Sequence, residues 1–573
     1  MQLRDIHIHN FRSIHDQSFT AEQYTLLVGS NNAGKSAVID CLLAFYEKDG
    51  FKFNPKRDLP FLRQSKAIDK DIEAWIDLTF ELTKEEYATL PEHYQRTDRI
   101  LKVRRWFNTA EKDASGRSLK GVIVAYMPNG LLNNEPAFGA ANVQKGKFGE
   151  VIYIPAVSTV NEHTKVSGPS ALRDLLQDVM QSVVEHSPSY KRFSNEFDTF
   201  RQSIKTDKGS DGRSLTGLEK QINDRIKSWG AEFKLDFTAP DPAAIIKNNI
   251  SHIFSDPNHG QGQDATQFGS GFQRQFIYTL IEVAASYATK NTPKKKDFTP
   301  RLTLILFEEP EAFLHPTQQE SLARKLRLLA DSEQRQILCS THSSHFVTRN
   351  CDRISSIVRL RRDSGITRLF QITVDCWKSI VDDNREIFDI ANRYPKLKKR
   401  LSPDDQALEL ESLRYFLWLD ANRCGVFFAN HVLLVEGATE LALFPRLISD
   451  QHVSIGDSGL FILDTLGKYN THRFMNLLSA MGIDHSVLVD DDHNKDEHKE
   501  LNELIRTSKN QDFTIEVEFF EGDLEAVLDI PKPPSDHLKP QHVLVHYDQN
   551  RLTQTCLMEL ASKIEKCLPQ SSK

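Results

Sequence analysis

The stretch Tyr24-Thr25-Leu26-Leu27-Val28, followed by Gly29-Ser30-Asn31-Asn32-Ala33-Gly34-Lys35-Ser36, constrains this chain more than any other. A short apolar strand empties into a glycine-framed loop that ends in Lys-Ser. Glycines let successive backbone N–H groups curl around phosphate oxygens, and the following helix offers its positive N-terminus. Gly29, Asn32 and Gly34 are therefore expected to cradle a nucleoside triphosphate. Lys35 supplies a point charge for the β and γ phosphates, and the Ser36 hydroxyl is placed for Mg²⁺. Ala37 to Phe45 is apolar enough to predict a helix packed on a sheet.

A chain of 573 residues has room for two to four domains. The net charge of −7 excludes a global basic field, so nucleic-acid binding must come from local patches. Cys41, Cys339, Cys351, Cys376, Cys424, Cys556 and Cys567 form no C-x-x-C pair, which points to a reducing compartment, the cytoplasm. The N-terminus lacks an apolar signal core, and no eighteen apolar residues run in succession. Neither export nor membrane insertion is expected.

Leu3, Ile6, Ile8 and Phe11 alternate loosely, as an opening edge strand would. Residues 72–80, 101–107 and 121–126 alternate more cleanly and predict three half-buried antiparallel strands. Val151 to Ile154 reads as a buried strand stopped by Pro155. From Ser170 to about Trp229 the pattern turns polar and helical, with Leu172, Leu175, Leu176, Val179, Val183 and Val184 on one face. Such a stripe needs a partner, either its own domain or a second copy, and dimerisation is the sharper expectation.

Leu302 to Phe307 is fully apolar and too short for a helix, hence a buried parallel strand. It ends in Glu308-Glu309. Carboxylates at that end lie beside the phosphate loop, where Glu308 can hold Mg²⁺ through water and Glu309 can polarise the attacking water. Gln336 to Ser340 is a second such strand and delivers His342 to the same edge as a γ-phosphate sensor. Residues 354–362 close the sheet. The basic run Lys396-Leu397-Lys398-Lys399-Arg400 reads as a solvated helix face, with the interdomain linker near 400–406.

A second centre follows. His431 to Val435 ends in Glu436-Gly437-Ala438-Thr439-Glu440, and Ser486 to Val489 ends in Asp490-Asp491-Asp492. Two parallel strands thus deliver carboxylates to the edge where doubly wound sheets place ligands. Glu436, Asp490 and Asp492 are expected to converge, with Glu440 joining from the first helical turn. So dense a cluster is costly without divalent cations, and oxygen-only ligands favour Mg²⁺ or Mn²⁺. Asp523 and Glu525 add late acids. Two metals there would clamp the attacking and leaving oxygens of a phosphodiester. The plainer alternative is a turn whose acids serve solubility.

Asn10-Phe11-Arg12-Ser13 resembles the element that opens the ATP-binding cassette heads of RecF and SMC ATPases. Gly269-Ser270-Gly271-Phe272-Gln273-Arg274 resembles their signature loop. That likeness implies that Ser270 and Gly271 hold the γ-phosphate bound by an opposite subunit, and that residues 310–316 face the dimer. The h-h-h-E-G and h-h-h-D-x-D strand ends resemble the Toprim fold. The conjunction of G-x-x-x-x-G-K-S, E-E-P-E, S-T-H-S, L-V-E-G and D-D-D is similar to the overcoming-lysogenisation-defect (OLD) family of ATP-dependent endonucleases.

The resemblance implies an α/β chain: an ABC-type ATPase head (1–160 and 266–400), a helical dimerisation insert (161–265), and a Toprim doubly wound parallel-sheet domain (401–573). It implies a homodimer or higher oligomer that cuts DNA under nucleotide control, often in antiphage defence. An accessory helicase or a reverse transcriptase with its nucleic acid is a further implied partner. Glu436, Glu440, Asp490 and Asp492 match the Toprim ligands, Asp523 and Glu525 the late acidic motif, and Lys539 a late lysine that stabilises the transition state. The rival reading is an SMC- or RecF-like clamp whose Toprim domain only binds. The intact acidic set favours the nuclease, because a binder would gain from losing charges that repel each other. No zinc-type cysteine set or winged-helix tyrosine supports a primase or topoisomerase.

Overall fold

The computed structural model describes residues 1–61, 71–139, 147–156, 187–227, 232–235, 254–255, 262–263, 268–288, 298, 300, 302–331, 334–348, 351–395, 421–456, 459–492 and 496–569. The predicted helical stripe from Leu172 to Val184, the basic run 396–400 and the linker 400–406 lie outside them. The chain separates into two compact units, one of residues 1–156 with 294–573 and one of residues 157–293.

In the first unit, β1 (Gln2–Phe11), β2 (Ile14–Thr20), β4 (Ala74–Glu81), β5 (Ile100–Asn108), β6 (Ile123–Tyr126) and β7 (Leu132–Pro136) form an antiparallel sheet in the order β2-β1-β4-β5-β6-β7. β1 is therefore interior, paired on both sides, and the expectation of an edge strand fails. Its outward residues explain the misreading: His7 and His9 look solvated in sequence, yet both bond Asp16 and both lie against the Trp75 ring.

A second sheet has the order β14-β13-β3-β12-β11-β8, built from β3 (Tyr24–Val28), β8 (Glu150–Ile154), β11 (Thr303–Glu308), β12 (Arg335–Ser340), β13 (Ile357–Asp363) and β14 (Ile366–Gln371). All pairings are parallel except that of the edge strand β14. β3 is buried on both faces, which is why it reads as a continuous apolar run. The helix Lys35–Tyr46 buries nine of its residues and shares one core with both sheets. That position accounts for its dense apolar composition and fixes the phosphate loop at its N-terminus.

A third sheet, wholly parallel, has the order β16-β15-β17-β18 from β15 (His431–Val435), β16 (Leu460–Asp464), β17 (Asp484–Asp490) and β18 (Thr514–Phe520). Its helices Ala438–Ser449 and Gln554–Lys566 pack into a separate core. The strand β16 was not anticipated, since four apolar residues carry too short a pattern to separate from a loop.

Arg359, on β13, joins the second and third sheets. Its buried guanidinium donates to the carbonyls of Phe427 (3.2 Å), Ala429 (3.1 Å), Met481 (3.2 Å) and Gly482 (2.7 Å). Two positions on, Arg361 pairs with Asp484 at the start of β17. Stripping a buried donor strands every acceptor it served. Arg359→Met is expected to cost about 3 kcal/mol and to split thermal unfolding into two transitions, that of the third sheet coming first. A single unshifted calorimetric peak would contradict this.

The second unit contains the helices Pro188–Thr206, Leu215–Ile226 and Ser270–Ala288 and a short pair, β9 (Phe254–Ser255) with β10 (Gly262–Gln263). Tyr190, Phe193, Phe197 and Phe200 form an aromatic ladder along the first helix. The helix Ser270–Ala288 starts at Ser270, so the signature-like residues lie in its opening turns rather than in a loop before Ile277.

Candidate functional sites

The first site surrounds the phosphate loop. Gly29 and Gly34 adopt φ of 139° and 108°, and an added Cβ would strike the Leu360 carbonyl or the Thr367 side chain. Only glycine meets both demands. Lys35 is buried, and its ammonium donates to the carbonyls of Gly29 and Ser30, each at 2.9 Å. Burial lowers it to about 8, while Glu309 and Glu311 pull the other way. Asn32 is held left-handed and accepts from Arg362 at 3.0 Å.

Gly34, Lys35, Ser36, Glu309 and His342 line one cleft of about 1170 Å³, whose wall also carries Arg12, Lys56, Arg57 and Arg362. This basic wall suits a polyphosphate. Glu308, at the end of β11, accepts from the Tyr153 hydroxyl at 3.0 Å. Burial raises its carboxyl, and bonds from the Tyr153 and Ser36 hydroxyls offset part of the rise. Glu309 is left-handed (φ 45°), and its carboxylate lies 3.3 Å from His342 Nε2. Burial, then Lys35, lowers His342 below the ordinary imidazole value.

Sequence reasoning missed what aims this histidine. Glu311 accepts from the His342 backbone N–H at 2.6 Å and from the Thr341 hydroxyl at 2.9 Å. Its place in E-E-P-E was the available signal. Ser270 and Gly271 open the helix Ser270–Ala288 of the second unit.

The second site crowns the third sheet. β15 and β17 are adjacent and parallel, so their carboxyl ends bring Glu436, Asp490 and Asp492 together. One oxygen from each lies within 4.8 Å of the others. Glu436 Oε2 and Asp490 Oδ1 are buried with no hydrogen-bond partner. Clustered carboxylates with buried, unsatisfied oxygens are the donor set of a hard divalent cation, so the residues present fit such an ion.

Burial, then Glu436, Glu440, Asp492 and Asp523, push Asp490 up to about 9. Glu440 is buried and caps its own helix through Gly437 N–H at 3.2 Å. Burial, with Glu436 and Glu525 adding to it, raises Glu440 to about 7 against the pull of that capping bond.

The remaining expected acids are engaged by lysines. Asp523 caps the helix Leu524–Val527 and pairs with Lys532, and Glu525 lies 3.7 Å from Lys539 Nζ. Asp491 turns aside to Asn502, whose amide donates to its Oδ1 at 2.6 Å. The trio therefore uses the first and third acids of D-D-D. A further lysine went unforeseen: Lys468 is 2% exposed, and its ammonium reaches the Asp490 and Asp491 carbonyls.

These shifts carry a pH dependence. Asp490 rises from 3.8 to about 9, so the cation-free folded chain keeps a proton that the unfolded chain sheds. Its contribution to stability is complete below the ordinary value and is lost as pH climbs through about 9. A divalent cation competes with that proton, so its affinity should increase between pH 6 and 9, with about one proton released per ion near neutrality. Calorimetry in two buffers of unlike ionisation heat measures this, and a pH-independent affinity would contradict it.

Among the described residues, no helix is long and apolar enough to cross a membrane. The AAA ATPase domain model matches residues 1–114 and 110–347, and the Toprim domain model of overcoming-lysogenization-defect-like proteins matches 427–492. The chain is 24% identical over 514 residues to the Old nuclease of Escherichia phage P2, covering 87% of this chain and 80% of that one. It is 22% identical over 510 residues to the OLD nuclease of Thermus scotoductus, covering 86% and 82%. It is also 22% identical over 508 residues to endonuclease GajA of Bacillus cereus strain VD045, covering 86% and 75%. A nucleotide cleft on one sheet and an acidic trio on another agree with the two models in kind and in order along the chain, and the chain belongs to the AAA ATPase family, joined here to an OLD-like Toprim domain.

Proposed function

We propose that this chain is an ATP-hydrolysing, divalent-metal-dependent DNA endonuclease whose ATPase governs its Toprim site, with a role in defence against phage. The observation that carries the reading is the trio Glu436, Asp490 and Asp492, gathered on adjacent strand ends with two buried oxygens unpartnered. A binding module would gain by losing such charges.

In the cleft, Lys35 offsets phosphate charge, Glu309 orients and polarises the attacking water, and His342 meets the γ-phosphate while Glu311 fixes its backbone. Ser36 and Glu308 would hold Mg²⁺, which screens the phosphate oxygens when bound. Ser270 of a second copy would complete the nucleotide site, making the active form a homodimer or larger. In the Toprim domain Glu436, Asp490 and Asp492 would hold Mg²⁺ or Mn²⁺, with Glu440, Asp523 and Glu525 in support. Such ions activate water and steady the leaving oxygen of a phosphodiester. Lys539, whose ammonium lies 3.7 Å from Glu525, would offset charge gathering on the phosphate.

Supercoiled plasmid incubated with the protein and Mn²⁺, with and without ATP, tests the reading. Nicked or linear product supports it. Unchanged supercoils across metals and nucleotides would leave the clamp reading in its place.

A further inference from the structure

Lys468 reaches the acidic site from the turn that follows β16. It follows β16, the edge strand, through Leu466 at φ 56° and Gly467 at φ 105°. This turn is laced to the segment that carries Glu436: Gly467 N–H donates to the Glu436 carbonyl at 2.8 Å. Thr465 reaches the Val435 carbonyl through its N–H at 2.8 Å and its hydroxyl at 3.1 Å. From there the lysine crosses the end of β15 to β17. Its ammonium donates to the carbonyls of Asp490 and Asp491, the latter at 3.1 Å, and lies 4.0 Å from Asp492 Oδ2.

The bonds go to backbone oxygens, so Glu436 Oε2 and Asp490 Oδ1 stay buried without a hydrogen-bond partner. Asn502 tethers the same Asp491 carbonyl, its amide donating at 2.7 Å. Three carboxylates so close would spread apart unless something held their frame. A lysine 2% exposed, with its N–H groups directed at carbonyls, is poorly placed to meet a substrate phosphate itself.

We infer that Lys468 is a positioning residue: an internal buckle that ties the ends of β15 and β17 together and presets Glu436, Asp490 and Asp492 for a divalent cation. This rests on the metal-site reading proposed above.

The sign of one measurement separates this role from a plain charge effect. Removing a nearby positive charge would by itself tighten cation binding. Loss of an outer-shell organiser weakens it, typically by 10–100-fold. Mn²⁺ titration of the full chain without nucleotide, followed by electron paramagnetic resonance, is compared for wild type, E436Q, K468M and K468R.

E436Q identifies the Toprim ion. K468M is expected to bind that ion at least about tenfold more weakly, K468R to recover part of the loss, and ATP hydrolysis to persist in both as a check on folding. Unchanged or tighter binding by K468M would overturn the inference while leaving the metal site standing. Wild-type binding that E436Q does not reduce would remove the metal-site reading and the inference with it. Should K468M fail to fold, N502L carries the test: slackening the other tether on the Asp491 carbonyl should weaken Mn²⁺ in the same direction, and no change would overturn the buckle.

Discussion

Asp490→Asn should lower metal-dependent DNA cleavage by roughly 10³-fold, more than the 10–100-fold usual for an outer-shell partner, because Asp490 is a direct ligand in the proposed site. Its geometry makes the change clean. Lys468 bonds the Asp490 backbone carbonyl, which asparagine keeps, so the loop frame stays in place. The same substitution should raise thermal stability without metal. In the native chain the Asp490 carboxyl is buried beside Glu436, Glu440, Asp492 and Asp523, and at neutral pH the raised group weakens the folded state relative to the unfolded one. A neutral side chain removes that burden. Activity and melting temperature moving in opposite directions are the signature of a functional cluster held against its own repulsion. A loss of both would indicate a merely structural acid.

Lys35→Ala should reduce ATP hydrolysis by roughly 10²–10³-fold or more, since it deletes the buried charge aimed along the phosphate loop. Lys35 opens the helix Lys35–Tyr46 that follows the phosphate loop, and its bonds go to the loop's own carbonyls at Gly29 and Ser30. Metal-dependent cutting at the third sheet should therefore survive the substitution, although its response to nucleotide should vanish. Phosphate-release and plasmid-nicking assays on one preparation distinguish these outcomes.

The parts legible in the sequence are those whose meaning is local. A strand that ends in a phosphate loop, and two strands that end in acids, declare themselves within a dozen residues, and β3, β11, β12, β15 and β17 all appear near their expected places. Parallel pairing then forces the strand ends onto one edge, so Glu436, Asp490 and Asp492 could be expected to meet.

Residues that act across the fold were hidden. Lys468 acquires its role by reaching from β16 past β15 to β17, and nothing adjacent to it in sequence reveals that path. Glu311 looked like one more acid in E-E-P-E, yet it braces His342 from thirty-one residues away. Arg359 read as part of a closing strand, whereas its four carbonyl partners come from segments 68 to 123 residues later. The interior placement of β1 was obscured in the same way, because His7 and His9 owe their cover to Asp16 and Trp75.

The central claim is that one polypeptide holds two separable machines, a nucleotide hydrolase and a metal-dependent DNA nuclease. It is tested most directly by running wild type, K35A and D490N side by side on supercoiled plasmid with Mn²⁺ while following phosphate release in the same tubes. The account predicts a double dissociation: K35A cuts without hydrolysing ATP, and D490N hydrolyses ATP without cutting. Cutting by D490N at the wild-type rate, or loss of both activities in either single variant, would contradict it.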